Sequence, residues 1–531
     1  MKTCKIVLFL GLIISIHSAC GESKPSQLNN DETSDTSNPA IVTDLSSIKV
    51  HPGDSILLQS GKVYYGSIKL HGIKSDAKPV IIRSTSDEPA VIDAAGELAG
   101  IELTNCSGFT IQNLKIVADG HNGKTKKEDP GTPSKMRCGI LVKAAKPGKF
   151  THFKIEQVQI EDVHYEDKGF IRGTSDTHTA NGNEAYGYGI RFISSLENAI
   201  LDDIRISECN ITNVSHTGIK FTAKLGAMNN IEIDSNKVIH VGGPGIQMSG
   251  VQDVKVHHNK VDHSGSVNDS RNWKRGSGYW CWGAKNILLE HNSFTHAHGP
   301  MDSAGAHIDF NCSDIIYQYN FSAWNAGGFV EILGNNWNCC YRYNISVDDG
   351  YRSKGDTKGC HDGKTLWLSG YVGKGNKPYG PCFSYIYNNT IYASNKIQSK
   401  IAFERSTEGA LITNNIFYVV GNSKNVANSQ PSDVAPERRN INFTNNLYLH
   451  ENTLPEDFSD QSPIYGDPGF VNKDGLTPES FVPTNKQLIT KGVSVIRLKF
   501  DEVGLKVGFD IEKDFFGNKI TEPIIGAVIP Q

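Results

Sequence analysis

A Gly-led apolar strand followed by a second strand, an Asn and a third short strand recurs along most of the chain. The segments open at Gly100 (GIELTNCSGFTIQNLKI), Gly139, Gly189, Gly218, Gly245, Gly278, Gly305 and Gly327. The Asn returns as Asn210, Asn236, Asn259, Asn292, Asn320, Asn344, Asn389, Asn415 and Asn446, mostly at intervals between 23 and 33 residues. A unit of that size cannot bury its own apolar face. Stacking such units makes one continuous core, so three short strands per repeat predict an all-β parallel β-helix with loop insertions. Asn at one turn of successive coils tolerates left-handed geometry and hydrogen-bonds the coils above and below, so these residues are read as a structural ladder. Insertions near 121–137, 165–187, 264–277 and 348–380 are expected to project as loops. The repetition fades after about residue 450, giving a solenoid over 41–450 and a capping segment over 451–531.

The rest of the chain is consistent with export. Lys2 and Lys5 precede the apolar run IVLFLGLIISI, which is too short to span a bilayer. It ends at Ser18-Ala19-Cys20, where Cys20 is the expected lipidation site, although His17 departs from the usual aliphatic residue; plain secretion is the alternative. Residues 21–40 are polar and read as a disordered tether. The expected location is therefore outside the cytoplasm, lipid-anchored at the outer membrane on its periplasmic or cell-surface face. Net charge is -4 with mixed signs, which gives no reason to expect a nucleic-acid partner. The eleven cysteines are irregularly spaced and suggest mostly buried thiols, with Cys339–Cys340 and Cys360–Cys382 the pairings open to an oxidising compartment. The protein is expected to be a monomer.

Strand alternation picks out candidate site residues. In GAHIDF and GGFVEI the even places are apolar, leaving His307, Asp309, Phe329 and Glu331 outward. Counted from Gly305 and Gly327, Asp309 and Glu331 are both fifth, which predicts equivalent places on consecutive coils about 4.8 Å apart. The same count sets Arg191, Lys220, Gln247, Trp280 and His307 in one column, and Trp282, Asp309, Glu331, Trp367 and Glu404 in the next. Aromatic rings beside carboxylates suit sugars. Two neighbouring carboxylates raise one pKa, as a glycosidase acid requires, and close stacking favours the retaining separation of about 5–5.5 Å. Asp309 is then the expected nucleophile and Glu331 the acid/base. A Ca²⁺ site or a solvated acidic face are the other readings, and Arg191 and Lys220 are either surface charges or binders of an acidic sugar. No cofactor is required on this reading, and Ca²⁺ is the one metal considered.

The PGDSILL opening, the GIELTNCSGFTIQNLKI coil, the GAHIDFNCSDIIYQYNFSAWNAGGFVEI core and the DFFGN…IGA tail resemble right-handed parallel β-helix carbohydrate-active lipoproteins of Bacteroidetes-like bacteria. The Asp-then-Glu pair is similar to the β-xylosidase-like and α-fucosidase/xylanase-like β-helix families, but the Ig-like insertion of the xylosidase group has no match. The resemblance implies a saccharide substrate and a glycoside hydrolase degrading a plant, algal or host glycan. A polysaccharide lyase using Lys220 or Arg191 on a uronic-acid glycan, and a non-catalytic glycan-binding surface protein, are the alternatives.

Overall fold

Each repeat forms one coil of three strands. In a computed structural model, which describes residues 41–94, 96–120, 136–165, 186–266, 276–355 and 360–531, the strands stack into three parallel sheets of 12, 14 and 14 strands. One coil runs through Ile219–Thr222, Met228–Asp234 and Lys237–Val241, and each strand pairs with its counterparts one coil away. The leader, Cys20 and the tether lie outside the described residues, as do most of the first three expected insertions.

The leading glycine has a steric cause. A Cβ at Gly189 would stand 2.4 Å from the carbonyl oxygen of Gly218, and one at Gly278 would stand 2.4 Å from that of Gly305. Coils approach too closely there for any side chain. Inside, aligned apolar residues form files along the helix axis. Val142, Phe192, Phe221, Met248, Cys281 and Ile308 are paired strand by strand and buried, and Phe192 stacks on Phe221 at 5.1 Å.

The asparagine ladder forms from Asn236 to Asn446. Each member accepts from the backbone N–H of the preceding one, at 3.0 Å for Asn236 to Asn259 and 2.9 Å for Asn259 to Asn292. Each also donates Nδ2 to the next Oδ1. Asn446 passes the role to Asp460. Two details depart from expectation. Asn210 is exposed, because Cys209 occupies the ladder place, donating its N–H to Asn236 Oδ1 and its thiol to the carbonyls of Ile155 and Ser207. The left-handed residue is the one before each Asn, such as His258, His291 and Tyr319.

The nine cysteines among the described residues are free, eight buried and Cys360 exposed, so neither pairing forms. Beyond the last rung at Ile464–Tyr465 the chain runs back along the outside of the coils. Phe481, Ile489, Leu498 and Ile525 pack with Tyr385, Tyr387 and Tyr418 in a second apolar cluster, and Tyr319 and Arg342 donate to the carbonyls of Lys513 and Gly508.

Candidate active site

Sheet register corrects the placement of the two acids. Ile308 pairs with Ile332, and Ala304 with Gly328. Glu331 therefore stands opposite His307, and Asp309 opposite Leu333. A count from Gly327 falls two residues short, because Gly328, where φ is 139°, pairs with Ala304 and so Phe329 stands opposite Gly305. Asp309 and Glu331 are diagonal neighbours, with a Cα spacing of about 8 Å from strand geometry, so stacking no longer supports the shorter, retaining separation. Trp367 pairs with Glu331, which moves both into the file Arg191, Lys220, Gln247, Trp280, His307. Trp282 and Asp309 share the neighbouring file, where Glu404 also falls, its N–H bonded to Leu368 O.

Burial corrects the picture of an open polar face. Arg191, Lys220, Gln247, Trp280, His307 and Glu331 are all buried, whereas Trp282 is 37 % exposed and Asp309 partly so. Phe329 is buried against Tyr341, with ring centroids 5.7 Å apart, and does not line the face. Glu404 is 1 % exposed, and its two carboxylate oxygens accept from the N–H groups of Asn428 and Gln430. It holds that segment in place. Arg191 packs its guanidinium 4.2 Å from the Tyr188 ring centre and donates to Met136 Sδ. Lys220 and Arg191 are four and five strands from Glu331, about 19 and 24 Å along the axis.

Around Glu331 the structure gathers residues that strand periodicity does not mark. Burial pushes the Glu331 carboxyl up to about 8. The negative charge of Asp302 and then that of Asp309 push in the same direction, while Lys364 and Arg352 oppose them. Asp302 and Ser303 sit in left-handed backbone, φ 43° and 68°, on the connection entering the strand Ala306–Ile308. Such geometry in a non-glycine residue is costly and concentrates at functional sites. Arg352 donates to His361 O at 2.9 Å and Gly299 O at 2.7 Å, tying together the two connections that flank the acids. Lys400 donates to Gly350 O and Arg352 O beneath it. Lys364 donates to Asp362 O and lies 3.8 Å from the Trp367 ring centre. Burial draws its ammonium down to about 8 against the opposing pull of Glu331. Burial also draws His361 down to about 4, helped by Arg352 and Lys364. His307 is fixed by Ser277, Oγ to Nδ1 at 2.9 Å, and stacks on Trp280 at 5.8 Å and 8°. The buried Trp367 indole N–H has no hydrogen-bond partner in the structure.

Asp302, Arg352, His361 and Lys364 were missed because three of them come from connections. Lys364 opens the strand Lys364–Leu368, but the link to its coil is too long for the Gly-led count to reach. The arrangement offers a buried acid whose carboxyl is pushed up to about 8, two aspartates that act on it and fixed cations. That set can donate a proton to a leaving oxygen while a carboxylate acts on the opposite side.

The profile of the right-handed beta helix region matches residues 202–361. Among solved structures, the GH136 lacto-N-biosidase from Eubacterium ramulus is similar at 19 % identity with a TM-score of 0.50, covering 74 % of this chain and 64 % of that one; the chain thus spans less than two thirds of that relative. The complex of XylC with xylose aligns at 12 % identity and a TM-score of 0.42, over 91 % and 94 % of the two chains. Pectate lyase Pel9A aligns at 12 % and 0.37, over 92 % and 90 %. The comparison with curated proteins found no match. Three stacked parallel sheets and the matching profile together make this a right-handed parallel β-helix protein.

Proposed function

We propose that the protein is a carbohydrate-active enzyme, and specifically a glycoside hydrolase with Glu331 as general acid. The observation that carries this is a carboxyl only 4 % exposed, pushed up to about 8 by burial and by two further acids, Asp302 and Asp309. A glycosidase needs that asymmetry between proton donor and anionic partner. Asp309 or Asp302 supplies the ionised carboxylate, Asp302 having the stronger effect on Glu331. Trp367, paired with Glu331 in register and partly exposed, offers an aromatic ring to a sugar. His307 and Trp280, both buried, continue the file behind it, and the exposed Trp282 flanks Asp309. The similarity to a lacto-N-biosidase is in keeping with a saccharide substrate. Export and anchoring through Cys20 belong to the same proposal.

A second reading rests on Lys364. An ammonium drawn down to about 8 is suited to act as a base, and with Arg352 against a uronate carboxylate it would support β-elimination. Arg191 and Lys220 are too far along the axis for that role.

The test is a polysaccharide panel treated with the parent protein and Glu331→Gln, with products resolved by mass. Hydrolysis gives products heavier by one water, without new ultraviolet absorbance, and an activity at least 100-fold lower in the variant. Unsaturated, absorbing products would overturn hydrolysis in favour of elimination. Undiminished activity in Glu331→Gln would remove its role as acid.

A further inference from the structure

The third strands of successive coils carry a file of histidines at or just past their ends. His240, His263 and His296 take the same left-handed conformation, φ 52°, 56° and 55°, and Trp324 follows at 54°. Their rings are 4.8, 4.7 and 5.2 Å apart in sequence. Stacking explains the ring planes. It does not explain where the nitrogens point. His263 Nδ1 lies 3.0 Å from one carboxylate oxygen of Asp262, and His296 Nδ1 lies 2.8 Å from the other. All three donor atoms are within 4.8 Å of one another. His263 Nδ1 is shielded from solvent, and despite the oxygen at 3.0 Å its geometry makes no hydrogen bond. Two donors on one metal with bonds near 2.1 Å stand about 3.0–3.4 Å apart, close to both spacings here.

We propose that Asp262, His263 and His296 bind a divalent transition-metal ion through two imidazole nitrogens and one carboxylate, with Zn²⁺ the best match to that donor set. Thr295 Oγ1 donates to Asp262 at 2.7 Å and orients the carboxylate. A second acid–histidine group, Glu232, Asp234 and His257, is less suited because Glu232 already pairs with Arg205 and His257. The site lies where the strand Ser293–Thr295 gives way to the connection carrying Asp302, so a bound ion would anchor that connection at its root. The metal site does not depend on the hydrolase reading.

The full chain, stripped with chelator, is titrated with Zn²⁺ against a fluorescent zinc indicator, and its metal content is measured after desalting. His263→Phe and His296→Phe keep a ring in the stack and remove the nitrogen, and Asp262→Asn removes the charge. Circular dichroism melts verify that each variant is folded. One Zn²⁺ per chain is expected, with affinity at least 10-fold weaker in each variant. Absence of stoichiometric Zn²⁺ in the parent would overturn the proposal. So would unchanged affinity in both Phe variants, or loss on His257→Phe alone.

Discussion

Glu331 is enclosed to 4 % exposure, and its carboxyl keeps its proton until the pH reaches about 8. The sign of each neighbour's effect follows from its charge. Removing a negative neighbour favours ionisation, so Asp302→Asn should move the alkaline limb of the pH–activity profile to lower pH. Asp309→Asn should move it the same way by less, because Asp302 acts on Glu331 more strongly. Lys364→Met should move it upward. Initial rates over pH 5–10, each normalised to its own maximum because loss of the anionic carboxylate also lowers the rate, check all three, and a limb that stays put in Asp302→Asn would detach it from Glu331. The same acid shapes stability. Below about pH 4.5, folded and unfolded chains are both protonated, and the carboxyl imposes no penalty on folding. As pH rises toward 8 the unfolded chain releases the proton and the folded one does not, so stability falls through that window and then levels. Glu331→Gln lacks that slope. Its melting temperature relative to the parent should climb between pH 4.5 and 8 and be constant above; a parallel pair of curves would contradict the raised pKa.

At the scale of the strand and turn, the asparagine ladder decides how firmly one coil grips the next. Asn292 accepts from Asn259 N and Nδ2 and donates to Val256 O, Glu290 O and Asn320 Oδ1, all at 2.9–3.0 Å in buried surroundings. Asn292→Ala strands donors and acceptors at about 1–3 kcal/mol each, so a loss of roughly 3–5 kcal/mol is expected by chemical denaturation. Asn210→Ala, at an exposed site outside the ladder, should cost less than about 0.5 kcal/mol. Equal costs would show that the ladder is not what joins the coils. The two asparagines also show what the sequence makes legible. Asn210 stands one place beyond the ladder, in the file of Lys237, Lys260 and Ser293, and the pairing of coils shows that Cys209 holds the rung. The glycine-led files Arg191 to His307 were readable because each strand begins alike and period two fixes the face. Across Gly327-Gly328 a two-residue offset moved Glu331 from the file of Asp309 to that of His307. Asp302, Arg352 and His361 carry no period at all. They belong to connections whose course depends on hydrogen bonds to distant backbone, such as Arg352 to Gly299, and no local pattern encodes these.

At the scale of the whole molecule, a solenoid in which each coil touches only its neighbours gains stability additively and can open from an end. The terminal segment alters that by running back across several coils. Asp501 fixes it there, being 3 % exposed and accepting from Asn338 Nδ2 at 2.8 Å, from Tyr385 OH, and from its own loop at Val503 N and Gly504 N. Asn338 and Tyr385 lie on different coils, so the one carboxylate joins both to the strap. Asp501→Ala leaves a buried hydroxyl and a buried amide without their acceptor, an expected loss of about 3 kcal/mol. That loss falls on the docking of the strap and leaves the coil hydrogen bonds intact. Trypsin should therefore cut after Lys499 or Lys506 at least 10-fold faster in Asp501→Ala, while the far-ultraviolet spectrum stays that of the folded helix. If the coils melt together with the strap, the two form one cooperative unit and opening is not confined to the segment; if cutting is no faster, Asp501 does not hold it.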